Sequence, residues 1–326
     1  MNSVESVKFQ IIREMTMLDN NRLNITWLCK AAGVSRSGYY NWLSKEGARI
    51  EREAKDQSDF QLILEAYRFR GYAKGARSIY MRLLHLSPPV EMNLKKIRRL
   101  MSKYNLRCPI RKANPYRRMA RAIKTSHVSP NLLNREFSKR GVRSVLLTDI
   151  TYILFGQGQR MYMSTIIDAC TMELLSYVVS QSLEVDFVLE TVEKLVAKHG
   201  VSLHKETLIN SDQGSHYTSH KFIQIIKDIN LRQSMSRRAN CWDNSPQESF
   251  YGHMKDEIDI SKCASFEEVR AIIDDWADYY NNDRPQWTLS LLTPTEYYQY
   301  ACSGVYPLNH TPPATKRGLC PQTPEV

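Results

Sequence analysis

The chain has 326 residues, 42% of them hydrophobic and 10% aromatic, enough for packed cores, which excludes wholesale disorder and leads to an expectation of two or three domains. Lys and Arg number 45 against 34 Asp and Glu, a net charge of +11. Between Met92 and Arg135 there are 13 basic residues and no acid, so one segment carries the excess and reads as a contact surface for a polyanion.

No run reaches the roughly 18 apolar residues of a membrane helix, and Met1-Asn2-Ser3-Val4-Glu5 lacks the pattern of a signal peptide. A soluble cytoplasmic protein is the expectation. The seven cysteines are odd in number and scattered, with no Cys-x-x-Cys pair, so neither a disulfide framework nor a structural zinc site is expected.

In chain order, residues 1–55 read as helical, with Val7, Ile11, Ile12 and Met15 at helical spacing. After a polar break, Leu28, Ala31, Val34, Tyr39 and Leu43 can line a small core, Gly33 supplies a left-handed turn and Ser35 caps the helix that follows. This is the pattern of a helix-turn-helix whose second helix would offer Arg36, Ser37 and Tyr40 to DNA, although such hairpins also pack against proteins.

A second helical unit is expected over 56–106. Phe60, Ile63, Leu64 and Tyr67 make one face, and Leu94, Ile97, Leu100 and Met101 make another. The opposite side of that last helix carries Lys95, Lys96, Arg98 and Arg99, as expected of a helix docked on a core with its outer face toward phosphates. Residues 107–140, with Pro109, Pro115 and Pro130, read as an extended basic linker, and its Arg111, Lys112, Arg117 and Arg118 are further candidate DNA contacts.

Over 141–262 the pattern changes to short apolar runs. Strands are expected at Val145–Tyr152, Met161–Ile167, Leu174–Val179, Thr207–Ser211 and Gln233–Ser236, with helices after the third and fourth and from about 246. Three meandering strands followed by alternating helices and strands make a mixed five-stranded sheet flanked by helices, an α/β fold behind all-α units. A helical extension follows over 263–300, with Phe266, Val269, Ile272, Ile273, Trp276 and Tyr280 toward the core, and residues 301–326 read as an irregular tail.

Three acids stand out by position. Asp149 lies within an apolar strand, where a lone carboxylate is costly unless paired or bound to a cation. Asp212 follows directly on the fourth strand, where α/β sheets tend to place their chemistry. Glu248 falls in the first turn of the late helix. Each has a plainer reading: an edge-strand residue facing water, the start of an Asp-Gln-Gly turn, and a capping box in Ser245-Pro246-Gln247-Glu248. Taken jointly they describe a nuclease-type site for two Mg²⁺ or Mn²⁺ ions. Asp168 is a lesser candidate beside the site, with a turn role favoured.

The runs Leu147-Thr148-Asp149-Ile150-Thr151-Tyr152, Ser211-Asp212-Gln213-Gly214-Ser215-His216-Tyr217 and Asn240-Cys241-Trp242-Asp243-Asn244-Ser245-Pro246-Gln247-Glu248-Ser249-Phe250 resemble the retroviral-integrase-type DDE core. More narrowly, the chain resembles the second-reading-frame product of IS-three-family bacterial insertion-sequence transposases, through Trp27-Leu28-Cys29, Gly33 to Tyr40 and Tyr279 to Gln286 as well. Ala239 and Gln286 depart from residues common in that family.

The resemblance implies an RNase H-like fold, Asp149, Asp212 and Glu248 as metal ligands, and Lys255, two helical turns beyond Glu248, as a DNA contact. It implies a DNA transposase that binds terminal inverted repeats, cuts a strand, and joins the 3′-hydroxyl to another phosphodiester, with a circular DNA intermediate. It also implies DNA as partner, oligomers on that DNA, and action as a fusion or partner of an upstream-frame product. The alternatives are a DNA-binding regulator with an inactive core and an RNase H-like hydrolase that cuts without joining.

Overall fold

The computed structural model describes residues 4–18, 22–109, 141–203, 206–236 and 245–310. The chain divides into two compact units, Met1–Leu62 and Ile63–Val326. Among the described residues, no helix is long and apolar enough to cross a membrane.

The smaller unit contains α1 (Val4–Thr16), α2 (Ile25–Ala32), α3 (Arg36–Ser44) and most of α4 (Glu46–Arg68). Gly33 has φ 64° and ψ 41°, and its N–H returns to the carbonyls of Cys29 and Lys30, the left-handed stop the sequence called for. The Ser35 hydroxyl accepts from Gly38 N at 3.0 Å and starts α3. The core consists of Phe9, Ile12, Leu28, Cys29 and Tyr39. The expected α1 face is corrected: Val7 and Ile11 are 45% and 50% exposed. Two stripes of α1 compete at helical spacing, and the one carrying the bulkier Phe9 turns inward. Ala31 is exposed as well.

An expected domain junction at 55/56 falls inside α4, which has no interruption there. Ile50-Glu51-Arg52-Glu53-Ala54-Lys55-Asp56 contains neither Gly nor Pro, and nothing in it favours leaving the helix.

In the larger unit, α5 (Ala76–Leu84) and α6 (Leu94–Lys103) pair through Ile79, Leu83, Ile97 and Leu100, all fully buried. The turn before α5 is bound to α10 (Phe266–Asn282). Arg70 bonds to Asp278 and lies 3.1 Å from Asp283, Tyr72 stacks on Tyr279 at 4.4 Å, and the buried Lys74 ammonium donates to the carbonyls of Tyr67, Phe69 and Tyr72.

The sheet comprises β1 (Val145–Phe155), β2 (Gln159–Asp168), β3 (Leu174–Ser180), β4 (Leu208–Ser211) and β5 (Arg232–Met235), in spatial order β3-β2-β1-β4-β5. β1–β2 and β2–β3 are antiparallel, β1–β4 and β4–β5 parallel. The mixed five-stranded sheet expected from the sequence is the one found. Period-two alternation lets β1 serve two cores. Val145, Leu147, Ile153 and Phe155 join a cluster with Phe250, Met254 and Trp276, while Leu146 joins one with Val188, Val192, Phe222 and Ile226. The helices behind these cores are α7 (Asp186–His199), α8 (His220–Asp228), α9 (Ser245–Glu257), α10 and α11 (Pro294–Ser303).

Asp168 has the turn role: it is fully buried and accepts from the Thr171 hydroxyl at 2.8 Å and from the Cys170 and Thr171 amides. Among the described residues, Cys29, Cys108, Cys263 and Cys302 are free.

Candidate active site

Sheet order sets the strands that lead to the first two carboxylates side by side. In the parallel β1–β4 pair, Leu147 stands opposite Asn210. The pairing ends there, two residues short of Asp149 and of Asp212, and the Asp212 charge acts on the Asp149 carboxyl. β4 stops at Ser211 while β1 continues to Phe155, so Asp212 sits where the chain turns away from the sheet.

Each acid is held locally. Asp149 Oδ1 accepts from the Ile150 amide at 2.8 Å. Asp212 Oδ1 accepts from the Gly214 amide at 2.9 Å. The loop after Asp212 is anchored by Tyr217, which is 1% exposed, meets Thr148 Oγ1 at 3.4 Å and packs edge-on against Phe222 at 5.2 Å. Gly214 is required by close approach: a Cβ there would lie 2.8 Å from Asp212 Oδ1. Gly214→Ala is expected to swing the exposed Asp212 carboxylate aside and slow DNA cleavage about 10- to 100-fold, with little change in melting temperature. Parallel rate and melting measurements check this.

The third acid arrives on α9. Glu248 is exposed in its first turn. The helix already includes Ser245, so the capping-box register with Ser245 as cap is not the one adopted. Both Asp212 and Glu248 act electrostatically on Asp149: burial first, then these two negative charges, push its carboxyl up to about 7, against the Ile150 amide and Lys255. Lys255 donates to Thr151 Oγ1 at 2.7 Å and lies 5.1 Å from the Tyr152 ring centroid; burial lowers its pKa while Asp149 acts in the other direction. Among the described residues, no three His, Cys, Asp or Glu side chains are drawn together closely enough to hold a metal ion as they stand. The donor set is nonetheless all carboxylate oxygen, as hard divalent cations require, and a positive charge is what would offset the mutual repulsion felt at Asp149.

Glu257, on the same helix, is separate. It accepts from Arg284 Nη2 at 2.7 Å and from Trp276 Nε1 at 3.0 Å, which ties the end of α9 to the loop after α10 and gives Arg284 a structural partner. Sequence reasoning passed over Tyr217, Tyr251, Thr165 and Gln247, the groups that hold the acids. Only the i, i+4 pairing of Gln247 and Tyr251 left a trace in the sequence.

Of the candidate DNA contacts, Arg36, Ser37 and Tyr40 are exposed on α3 of the smaller unit, with the Arg36 guanidinium 5.9 Å from the Tyr40 ring centroid. Lys95, Arg98 and Arg99 are exposed and Lys96 half-buried on α6, opposite buried Ile97, Leu100 and Met101. Arg111, Lys112, Arg117 and Arg118 lie outside the described residues, as does Asp243.

A mixed sheet with acids at these three places is the architecture of an integrase-type catalytic core, and comparison with known proteins agrees. Residues 140–241 and 229–294 match integrase core domain families, and residues 53–114 match an HTH-like domain. An uncharacterized transposase-like protein of Haemophilus influenzae is 30% identical over 65% of this chain and 95% of its own length. The InsK protein of Escherichia coli insertion sequence element IS150 is 28% identical over 83% of this chain and 92% of its own. The transposase InsF for insertion sequence IS3A of Escherichia coli is 25% identical over 81% and 90%. The chain belongs to the IS-three family of insertion-sequence transposases.

Proposed function

We propose that the chain is a DNA transposase that binds the terminal inverted repeats of its element, cuts one strand and transfers the new 3′-hydroxyl to a second phosphodiester. The observation that carries this reading is the convergence of charge at Asp149 of β1, on which both Asp212, just past β4, and Glu248 of α9 act. Asp149, Asp212 and Glu248 would hold Mg²⁺ or Mn²⁺, two ions in all. When bound, they polarise the scissile phosphodiester and favour the ionised attacking oxygen.

The protein's own groups do the rest. Asp149 is fixed by the Ile150 amide and Asp212 by the Gly214 amide. Lys255, steadied by Thr151, faces the DNA backbone as a fixed positive charge. The exposed basic side of α6, the segment after it and Arg36, Ser37 and Tyr40 of α3 would bind phosphates and base edges and orient the duplex. Cleavage breaks one P–O bond as water forms another. Joining exchanges a P–O bond for a P–O bond, so no protein nucleophile and no external energy source is required. Copies of the chain would assemble on the two DNA ends, with an upstream-frame product as a further partner.

The test is a cleavage and strand-transfer assay on DNA carrying the element's ends, with Mg²⁺. Wild type is expected to give nicked and joined products. Glu248→Gln should lose both while keeping its DNA affinity; unchanged strand transfer in that variant would remove Glu248 from the site. Cut ends without joined products would favour the hydrolase, and DNA binding alone the regulator.

A further inference from the structure

We infer that Gln247, Thr165 and Tyr251 form a positioning relay that locks α9 onto β1 and so sets how Glu248 approaches Asp149. The inference rests on the site proposed above. Gln247 and Thr165 are 0% exposed and Tyr251 is 6% exposed, three polar side chains placed among Phe250, Met254 and the strand residues of the same core. Their bonds run in one direction. Gln247 Nε2 donates to Thr165 Oγ1, the Thr165 hydroxyl meets the Tyr251 hydroxyl at 2.7 Å, and the Tyr251 hydroxyl donates to the backbone carbonyl of Asp149 at 2.7 Å. Thr165 is also the direct cross-strand partner of Asp149. The relay therefore begins on the residue before one proposed ligand and ends on the backbone of another.

Hydrocarbon could fill this space at lower cost, because burying polar groups is unfavourable unless each finds a partner. Gln247 does not fully do so: its Oε1 has no hydrogen-bond partner among the described residues. What hydrogen bonds add is register. An apolar helix face can slide along a sheet by a fraction of an ångström with little penalty, whereas bonds near 2.7 Å weaken steeply with displacement and misalignment. Gln247 and Tyr251 are one helical turn apart on one face of α9, so a shift along or around the axis breaks both attachments together. Where β4 has ended, the Tyr251 hydroxyl also supplies the Asp149 carbonyl with a donor. None of the three need touch DNA; they are positioning residues that act through Glu248 and Asp149.

Gln247→Met, Thr165→Val and Tyr251→Phe keep side-chain volume and delete the polar atoms. The double variant Gln247→Met/Thr165→Val removes a donor and its acceptor together, leaving less of the relay unpaired than either single change. Full-length proteins are compared by melting temperature, affinity for a plasmid segment carrying the element's ends, Mn²⁺ affinity by electron paramagnetic resonance without DNA, and single-turnover nicking at saturating DNA. The relay predicts DNA affinity within about twofold of wild type, weaker Mn²⁺ binding, and nicking at least about tenfold slower in the folded double variant and in Tyr251→Phe, the consequence of misplaced reacting groups. Folded variants that nick and bind Mn²⁺ like wild type overturn the relay, and so does a loss of nicking that only tracks the unfolded fraction. A wild-type protein that neither binds Mn²⁺ nor nicks defeats the site itself, a result distinct from failure of the relay.

Discussion

Asp149→Asn should make the metal-free protein more stable at pH 8 while abolishing strand cleavage. Burial, Asp212 and Glu248 lift the Asp149 carboxyl from 3.8 to about 7. A carboxyl whose folded pKa is raised favours the fold at low pH, where it is neutral. That contribution is fully present below about 4 and is lost as pH rises through about 7. At one pKa unit per 1.36 kcal/mol, the wild type loses on the order of 4 kcal/mol above pH 7 in the absence of cations. Asparagine has the shape without the charge. Calorimetric scans in chelator at pH 5 and pH 8 should show a wild-type stability that falls between the two and a variant that hardly changes. Identical pH profiles would mean that Asp149 does not feel its neighbours, and the proposed cation site would lose its main physical support. Added Mg²⁺ or Mn²⁺ should raise the wild-type melting temperature at pH 8 and leave the variant unmoved.

Arg284→Ala is expected to cost about 3–5 kcal/mol, the usual consequence of stranding one partner of a buried ion pair. The side chains of Arg284 and Glu257 are 14% and 5% exposed, and the two oxygens of Glu257 take three bonds from the guanidinium. Replacing both residues with methionine should recover part of that loss, because the pair leaves together, although the buried Lys74 loses the favourable Glu257 charge and the Trp276 indole N–H loses its acceptor. If Arg284 serves structure alone, the double variant should cleave DNA at close to the wild-type rate wherever it is folded. Denaturant melts and cleavage rates on the three proteins decide the matter. A stable double variant with no activity would move Arg284 from the scaffold to the reaction.

The sheet was readable because its signals are local. Short apolar runs bounded by turns mark four of the five strands, and the polar Arg232–Met235 is placed by its position between two helices. The end of β1 was missed by three residues: Ile153 and Phe155 are buried while Leu154 between them is 53% exposed, an apolar side chain on the solvent face that blurs the alternation. The stripe expected on α1 holds at Ile12 and Met15 and fails at Val7 and Ile11, because two apolar stripes fit one period and local spacing carries no information about which one meets α2 and α3. The junction expected at 55/56 falls inside α4 because two apolar faces with different partners can lie along one uninterrupted helix.

The three acids could be picked out because each stands at a position where a plain acid is awkward or strategically placed. Their surroundings could not. Tyr251, Thr165 and Gln247 are separated by up to 86 residues, and polar side chains that meet only after the sheet has formed leave no periodic mark. The antiparallel meander β1–β3 follows from turns, but the parallel β1–β4 pairing, which brings the strand before Asp212 beside the one carrying Asp149, depends on a crossover through α7, which only the completed fold displays.

The division of the β1 core between helices from distant parts of the chain bears on incomplete gene copies. A polypeptide that stops before residue 245 lacks α9 and α10, and with them Phe250, Met254, Ile273 and Trp276, the side chains that cover Leu147 and Ile153. Such a fragment is more than a catalyst short of one acid. It would display an uncovered apolar sheet, a substrate for proteolysis and aggregation, so decayed copies should vanish from the cell rather than persist as competitors for the DNA ends.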